Sequence, residues 1–441
     1  MTTPPLPTGL AVPSKRLARL WHLGRATGDL AVGVGLRGLI ELALNRDGEM
    51  NRIRLSPERT QRFTDRLARM RGAAMKMGQL MSLDGSDLFT AESAEIMASL
   101  RDRAQPMPLG QVNQILSAEL GADWDKRFRR FSFTPMAAAS IGQVHRAETK
   151  DGRHLAIKIQ FPGVRESIDS DLDNLAFLGR TLGLAPRGMN LEPVLATARR
   201  QLHQEADYVA EADAQEAYGQ LIGDDPDLLV PKVHRDLSST RVLAMDFADG
   251  IPVDQLTGQA FRQAERDRAA TLLVRLLLRE LFDFALVQTD PNYSNFLYQA
   301  DTGKLVLLDF GATQRISPEM VGYYLRMMQA SLVGDTETVR ECALALGYLD
   351  PDANPEQTAD VAGLIALTGE PLRHTGLYDF GASDLFERLY VGGRDLYFED
   401  AFGQTPDPAT FALHRKFVGT FMLCRRLRAR VDLNAVTAAY A

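Results

Sequence analysis

The sequence predicts an α+β fold of two lobes, a β-rich half followed by a helical half. Strand-like segments, apolar and partly alternating, are concentrated in residues 131–247. From about residue 254 onward the apolar residues recur mostly at helical spacing, apart from the short region 288–311. The 441 residues are enough for two lobes, and a content of 45% hydrophobic and 24% charged residues is ordinary for a globular protein.

Composition excludes several classes of function. A net charge of -7 argues against a general nucleic-acid binder. The two cysteines, Cys342 and Cys424, form no metal-ligand motif and suggest a reducing compartment. No run reaches the roughly 18 uninterrupted apolar residues of a membrane span, because the run 272–284 is broken by charges and is typical of a buried helix. With no secretory pattern at the N-terminus, we expect a cytoplasmic protein without a transmembrane helix.

The first 50 residues are predicted to form an N-terminal extension. Residues 14–45 have helical spacing, with a basic side and with Trp21 among the apolar residues. One interpretation is a surface helix packed on the body of the protein. The other is an interfacial membrane helix, since a basic face and a tryptophan suit a lipid surface. Peripheral attachment to the inner face of a membrane therefore stays open.

Residues 51–125 are predicted to form a second, helical extension. Ser56-Pro57-Glu58 is a good helix start, and a later helix over about 109–120 ends at Gly121. The extension also contains Lys76-Met77-Gly78-Gln79. The chain has eight lysines against 42 arginines, so each lysine calls for separate consideration.

The β-rich half, 126–250, is predicted to contact the phosphates of a nucleotide. Lys158 lies on a predicted strand and follows Val144 by 14 positions, which suits a phosphate-binding lysine behind a phosphate-covering loop. Alanines replace the usual glycines of that loop and restrict φ, so a helix start is the alternative for this segment. The candidate nucleotide-contacting residues are Ala138, Ala139, Ser140, Gly142, Val144 and Lys158.

A phosphate-binding lysine needs an acidic partner on a helix. Glu205, Asp207 and Glu211 are the candidates, on one helix predicted over 192–218. Glu211 is favoured, with Asp207 four positions earlier on the same face. A solvated acidic face is the alternative for each. The adenine would meet the segment that ends this half, and its candidate contacts are Met245, Asp246, Phe247 and Ala248.

The helical half, 251–441, contains the catalytic motifs. Asp290 is followed five positions later by Asn295, and an apolar run at 305–308 leads into Asp309-Phe310-Gly311. This order is the layout of a protein-kinase catalytic centre. Asp290 would orient or deprotonate an attacking hydroxyl, and Asn295 and Asp309 would bind the Mg²⁺ ions that neutralise the phosphates of ATP. ATP and Mg²⁺ are thus the predicted cofactors.

Two other segments imitate these motifs. His234-Arg235-Asp236-Leu237 copies the usual kinase catalytic loop, but it lacks the Asn five positions after the Asp and lies between predicted strands. We expect it to be a strand-connecting loop. Asp379-Phe380-Gly381 has no preceding apolar strand in the sequence and lies 89 positions after Asp290, against 19 for Asp309. Asp309 is therefore the predicted metal ligand.

Three features depart from an ordinary protein kinase. The covering loop has alanines, Gln288-Thr289 replaces the usual His-Arg, and no Ala-Pro-Glu closes an activation segment. Ser317-Pro318-Glu319 comes only six residues after Gly311. A peptide substrate normally docks against that segment, so phosphotransfer to a protein in trans is disfavoured.

These departures occur together in the UbiB/AarF family of atypical kinases, which the chain resembles over about residues 55–430, most closely in the branch tied to coenzyme Q biosynthesis. The matching segments are Lys76-Met77-Gly78-Gln79, AAASIGQVHRA (137–147), AIKIQFPGV (156–164), EAD (205–207), QTDPNYSNF (288–296), LLDFGAT (307–313) and LHRKFVGTFML (413–423). The resemblance implies a kinase-like fold whose N-terminal helical extension packs over the active site. Lys76 and Gln79 would enter the site, and Glu205 and Asp207 would contact that extension or the nucleotide.

The resemblance implies ATP binding, ATPase activity and support of isoprenoid-quinone biosynthesis at a membrane. One hypothesis is a Mg-ATP-dependent ATPase or small-molecule phosphotransferase whose phosphate acceptor the sequence does not name. The expected partners are ATP, a lipid or quinone-like small molecule, a membrane surface and other quinone-biosynthesis proteins. The alternative is a nucleotide-gated lipid-binding or scaffolding protein that does little chemistry. A conventional protein kinase is the third and least favoured reading.

Overall fold

A computed structural model describes residues 106–139, 141–181, 192–290, 292–349, 352, 355–398 and 408–441. The chain divides into two compact units: unit 1 runs to Ala212 and includes Val233–Phe247, and unit 2 comprises Asp213–Lys232 and Ala248–Ala441. Residues 213–232 thus belong to unit 2, although they fall inside the range 126–250 that was predicted as the β-rich half. The mixture of helices and mainly antiparallel sheets confirms the α+β prediction.

Unit 1 is built on an antiparallel sheet in the order β1-β3-β4-β6, with β2 paired to β3. Its strands are β1 (Phe128–Phe131), β2 (Ala137–Ala138), β3 (Gly142–Thr149), β4 (His154–Gln160) and β6 (Val242–Asp246). The apolar residues Leu155, Ile157 and Ile159 of β4 have no exposed surface. Their burial makes β4 a rigid base for Lys158, which pairs with Leu243 across the β4–β6 ladder.

Four helices begin in the described part of unit 1: α1 (Leu109–Leu120), α2 (Val164–Thr181), α3 (Glu192–Glu205) and α4 (Tyr208–Ile222). The prediction of a single helix over 192–218 is wrong, because the helix is interrupted between α3 and α4. The Asp207 carboxylate accepts a hydrogen bond from the backbone N–H of Ala210 at 3.1 Å. Aspartate is a preferred residue for satisfying the first N–H groups of a helix, so Asp207 begins a new one.

Three small sheets lie among the residues of unit 2 that the structure describes. Strands β5 (Leu228–Leu229), β10 (Leu305–Leu307), β9 (Phe296–Tyr298) and β7 (Ile251–Pro252) form one sheet in that order. A second sheet pairs β8 (Leu286–Gln288) with β11 (Thr313–Arg315), and a third pairs β12 (Leu377–Asp379) with β13 (Arg430–Asp432). The first two sheets carry the predicted catalytic motifs at their ends.

The helices of unit 2 surround these sheets. They are α5 (Gln263–Leu278), α6 (Pro318–Val333), α7 (Thr336–Ala345), α8 (Pro355–Leu367), α9 (Glu370–Arg373), α10 (Leu385–Phe398), α11 (Pro408–Arg426) and α12 (Leu433–Thr437). Helix α5 continues into a π-helical turn, Arg279–Asp283, just before β8. Its leucines at 272, 273 and 276 are buried in one core with Leu305 and Phe310. Within the described ranges, no helix is both long and apolar enough to cross a lipid bilayer.

Candidate functional site

Lys158 and Glu211 form a buried ion pair in unit 1. The Lys158 ammonium donates hydrogen bonds to both carboxylate oxygens of Glu211, at 2.8 and 3.0 Å. The two residues are 8% and 1% exposed. Charge-assisted bonds of this length fix the direction of a flexible side chain. Of the three acidic candidates, the structure therefore brings Glu211 to Lys158.

Sequence reasoning missed Tyr208, which also contacts the Lys158 ammonium. Its ring lies 5.1 Å from the Lys158 ammonium, within the range of a cation–π contact, and its side chain is buried. Tyr208 precedes Glu211 by three positions on α4, so both side chains share one helix face. That i, i+3 spacing is the signal by which it could have been found.

The other two acidic candidates have different positions. Glu205 is buried at the last turn of α3. Asp207 caps α4 and its backbone carbonyl accepts from the N–H of Glu211 at 2.9 Å. Their predicted contacts with the N-terminal extension or the nucleotide stay predictions, because Lys76 and Gln79 lie outside the described residues. Ser140 lies outside them as well.

The alanine-rich segment is a tight hairpin and not the start of a helix. Ala138 pairs with Gln143 across the β2–β3 ladder, and the N–H of Ala139 donates to the carbonyl of Gly142 at 2.9 Å. Strand β3 continues through Val144, which pairs with Lys158 on β4. The predicted covering loop therefore lies on the strand next to the lysine strand.

Gly142 is required by its surroundings. A Cβ at this position would lie 2.4 Å from the carbonyl oxygen of Ile159 and 2.8 Å from the hydroxyl of Tyr208. Both distances are below any real Cβ contact, and the first involves backbone that cannot move freely. Of the residues in the predicted covering loop, Gly142 is thus the one whose lack of a side chain brings the strands and Tyr208 together.

The segment predicted to meet adenine ends β6. Met245 pairs with Ala156 on β4, and Asp246 accepts a hydrogen bond from the His234 ring at 2.6 Å. The N–H of Phe247 donates to a backbone carbonyl of β4 at 2.8 Å, so this donor is already used. Ala248 is the first residue of the second part of unit 2. The adenine contacts stay a prediction.

In unit 2 the β8–β11 pair fixes the start of the segment predicted as the catalytic loop. Gln288 pairs with Thr313 across this ladder, and the backbone N–H and hydroxyl of Thr289 both donate to the carbonyl of Ala312, at 3.1 and 2.7 Å. Asp290 follows directly and is 7% exposed. Backbone pairing therefore fixes the residue before Asp290.

A 3₁₀ turn, Tyr293–Asn295, places the second candidate ligand. The Asn292 side chain accepts from the N–H of Ser294 at 3.2 Å, which forms the turn. The Asn295 amide nitrogen lies 3.5 Å from the carbonyl oxygen of Asp290, a long hydrogen bond. With the nitrogen directed at the loop, the amide oxygen is the atom of Asn295 left for a metal.

Asp309 is tied to the same turn through the backbone. The N–H of Leu308 donates to the carbonyl of Asn295 at 3.0 Å, and the Asp309 carboxylate accepts from the N–H of Gly311 at 3.0 Å. Mg²⁺ prefers oxygen ligands and is usually held by one or two carboxylates together with substrate phosphates. The carboxylate of Asp309 and the amide oxygen of Asn295 fit that requirement.

Sequence reasoning also missed a buried polar cluster beside these loops. We call Tyr218, Glu280, Gln288 and Lys416 the buried cluster; all four are nearly inaccessible to solvent. Burial raises the pKa of Glu280, while the Lys416 ammonium opposes that rise. The rarity of lysine and the acidic residue inside the apolar run 272–284 were the available signals.

The two segments that resemble kinase motifs, 234–237 and 379–381, have structural roles. Arg235–Leu237 is a 3₁₀ turn between strands, as predicted, and Arg153 donates to both carboxylate oxygens of Asp236 at 3.1 and 3.0 Å. The expectation that no strand precedes Asp379-Phe380-Gly381 is wrong, because the short strand β12 ends at Asp379. Its pairing with β13 stabilises a strand too short to recognise from composition. The exposed Asp379 caps the next turn by accepting from the N–H of Gly381 at 2.9 Å.

A family model described as the ABC1 atypical kinase-like domain matches residues 99–343. This chain belongs to that family. The atypical kinase COQ8B, mitochondrial, of Rattus norvegicus is 38% identical over 427 residues, covering 95% of this chain and 79% of the relative. The atypical kinase COQ8, mitochondrial, of Saccharomyces cerevisiae is 34% identical over 424 residues, covering 96% and 84%. The resemblance inferred from the motifs is confirmed.

A solved structure is similar to this chain in its fold. A Mycobacterium tuberculosis protein, solved as a complex with erythromycin, has a TM-score of 0.57 at 24% identity, covering 91% of this chain and 96% of that one. At this identity the likeness concerns the fold alone. The kinase-like class predicted from the sequence is confirmed by the family match.

Proposed function

We propose that this atypical kinase-like protein binds ATP with Mg²⁺ and supports isoprenoid-quinone (coenzyme Q) biosynthesis as an ATPase or small-molecule phosphotransferase. The observation that carries the proposal is the buried, doubly hydrogen-bonded Lys158–Glu211 pair. In kinases this lysine–glutamate pair must be in place for the lysine to contact the nucleotide phosphates. The pathway is proposed from the COQ8 relatives.

Each residue has a proposed task. Lys158 would contact the α- and β-phosphates, with Glu211 and Tyr208 holding its ammonium in place. Asn295 and Asp309 would hold Mg²⁺, which supplies charge neutralisation at the phosphates. Asp290 would orient a water molecule or the hydroxyl of a small acceptor and take up its proton. Catalysis of this kind depends on positioning and on charge placed before the reaction begins.

A small acceptor or water is favoured over a protein by the segment after Gly311. Residues Thr313–Arg315 form β11, and the Ser317 hydroxyl accepts from the N–H of Met320 at 3.2 Å to start α6 at Pro318. A strand and a helix cap thus occupy the stretch that in protein kinases forms a long substrate-docking segment.

ATP turnover tests the assignment, and the two imitating motifs supply matched controls. We expect Asp309→Asn and Asp290→Asn each to lower turnover by about 100-fold or more, since each removes a charge used in the transition state. Asp379→Asn and Asp236→Asn make the same chemical change in the second copies of the motifs. They should keep turnover within about twofold, because both aspartates are exposed: Asp379 only caps a turn, and Asp236 belongs to an exposed ion pair of a kind that contributes little. Turnover retained in both Asp309→Asn and Asp290→Asn would overturn the proposal.

The physiological reaction needs a separate experiment. Quinone intermediates would be compared between cells that lack the protein and cells complemented with wild type or Asp309→Asn. We expect only wild type to restore the normal pattern. Restoration by Asp309→Asn would favour a scaffolding role in which ATP is bound without chemistry.

We further propose that the protein acts at a membrane surface beside other quinone-biosynthesis proteins. The COQ8 relatives are named as mitochondrial proteins. The basic, tryptophan-containing segment 14–45 is the candidate attachment site in the sequence. Co-sedimentation with anionic liposomes, compared between the full chain and a form lacking residues 1–45, tests this; equal binding by both forms would contradict it.

A further inference from the structure

An ion pair without access to solvent lies at the centre of the buried cluster. The Lys416 ammonium on α11 and the Glu280 carboxylate in the π-turn are 3.0 Å apart, and the residues are 3% and 0% exposed. Removing two charges from water costs several kcal/mol per ion, so a buried pair is often no more stabilising than apolar residues of the same size. Stability alone therefore does not explain why two charges are placed here.

Lys416 contacts residues on either side of the catalytic loop. Its ammonium lies 3.4 Å from the side-chain oxygen of Gln288, two positions before Asp290. It also lies 5.4 Å from the centre of the Phe296 ring, which directly follows Asn295. Within the described part of the chain the side-chain nitrogen of Gln288, Nε2, has no hydrogen-bond partner. The contact with Lys416 is therefore what orients this amide.

Tyr218 extends the cluster to the other metal-binding motif. Its hydroxyl lies 3.1 Å from a carboxylate oxygen of Glu280 and 2.9 Å from the carbonyl oxygen of Leu286, at the start of β8. Its ring centre lies 4.9 Å from that of Phe310, next to Asp309. The single hydroxyl proton of Tyr218 is shared between two acceptors, so Glu280 and the backbone of β8 together fix the position of this side chain.

We infer that the Glu280–Lys416 pair positions the catalytic loop and the metal-binding Asp-Phe-Gly segment of this chain. Lys416 acts through Gln288 and Phe296, and Glu280 acts through Tyr218 and Phe310. This inference rests on the proposed function. Both charged residues are positioning residues, because each is inferred to act through other side chains and neither is assigned to the metal or the nucleotide in the proposed function. Ordinary protein kinases have His-Arg directly before the catalytic Asp, whereas this chain has Gln288-Thr289. We infer that the Glu280–Lys416 pair, whose residues are not adjacent to Asp290 in sequence, takes over the positioning of the loop.

Three variants separate positioning from simple stabilisation. Lys416→Met leaves the Glu280 carboxylate buried without its cation and should unfold at a lower temperature. The double variant Glu280→Gln/Lys416→Met removes both charges and should recover most of the melting temperature. Gln288→Met removes the amide oxygen and leaves the ion pair intact. An exposed pair in the same unit, Arg326 with Glu341 at 2.8 Å, supplies the control variant Arg326→Met.

The measurements are melting temperature, kcat and KM for ATP, and the Mg²⁺ concentration that gives half-maximal turnover. Groups that orient metal ligands typically contribute 10–100-fold to metal affinity or activity. We expect the double variant and Gln288→Met to lose about 10- to 100-fold in kcat and to need more Mg²⁺. Arg326→Met should match wild type in all four quantities.

Two results would overturn the inference while leaving the proposed function standing. One is a double variant that regains wild-type kcat together with its melting temperature; the other is wild-type kcat and Mg²⁺ requirement in Gln288→Met. If the double variant does not fold, Gln288→Met decides the matter. Failure of the proposed function looks different: wild type itself would neither turn over ATP nor bind a fluorescent ATP analogue with Mg²⁺, and the inference would fall with it.

Discussion

Replacing Glu211 with alanine tests whether Lys158 depends on its buried carboxylate. In the wild type both carboxylate oxygens accept from the Lys158 ammonium, at 2.8 and 3.0 Å, and the glutamate side chain has no exposed surface. In the variant an ammonium group that is mostly buried would lose this carboxylate, while the ring of Tyr208 stays beside it. Glu211→Ala should therefore be far more harmful than loss of an exposed charge.

The expected magnitude follows from that burial. Breaking a buried pair by removing one partner costs about 3–5 kcal/mol of unfolding free energy. For a cooperative unit of about 200 residues, this corresponds to a melting temperature lower by about 6–20 °C. The double variant Lys158→Met/Glu211→Leu removes both charges and should recover most of the loss. Glu148→Ala, which breaks the exposed pair of Arg129 with Glu148 in the same unit, should cost about 1 kcal/mol or less.

Thermal melts followed by circular dichroism, with and without Mg-ATP, provide the assay. ATP should raise the melting temperature of the wild type, because a ligand that binds only the folded state stabilises it. It should not raise that of Lys158→Met/Glu211→Leu, even where stability is recovered. The reasoning is refuted if Glu211→Ala melts within about 2 °C of Glu148→Ala, or if the double variant is as unstable as Glu211→Ala.

Two further predictions concern strand β3. Burial lowers the pKa of His145 in the folded protein. In the unfolded chain the same imidazole is protonated below about pH 6.5, so the unfolded state binds more protons as the pH falls. This contribution to stability is present above that pH and is lost progressively as the pH falls below it. Urea unfolding of His145→Gln should have a shallower pH profile, and an unchanged slope would contradict this. Gly142→Ala should lower the unfolding free energy by about 1–3 kcal/mol, since its Cβ would lie 2.4 Å from a backbone oxygen. Gly110→Ala, with nothing within 4 Å of its Cβ, should be neutral or stabilising by up to about 1 kcal/mol, and equal losses in urea would refute the steric argument.

The sequence was sufficient where a motif is short and its spacing is set by local structure. Lys158 was predicted because a lysine on a predicted strand follows the covering-loop segment by 14 positions. Asp290, Asn295 and Asp309 were predicted because their spacing and the apolar run before Asp309 match a kinase catalytic centre. The His234 motif was recognised as a strand connection for the same reason, since its neighbours on both sides have strand patterns. Assigning these residues to one catalytic function stays the proposal made above.

Other features depend on contacts that no local pattern encodes. The break between α3 and α4 was missed because Asp207 was taken for an interior helical residue, although aspartate favours a helix start. Lys416 and Glu280 are far apart in the chain, so their pairing could not be predicted from spacing. The run 272–284 was predicted as a buried helix. Because a buried charge needs an opposite charge beside it, the acidic residue Glu280 in this run indicates a buried cation.

The π-helical turn at Arg279–Asp283 limits how this chain can change in length. An α-helix advances by about 100° per residue, so the insertion or deletion of one residue in α5, before this turn, would rotate Glu280 by about that angle away from Lys416. Insertions in surface loops such as Asp301–Lys304 need only close a slightly longer loop. Among homologues, length variation should therefore accumulate in such loops, while the spacing from α5 to β8 stays the same to the residue.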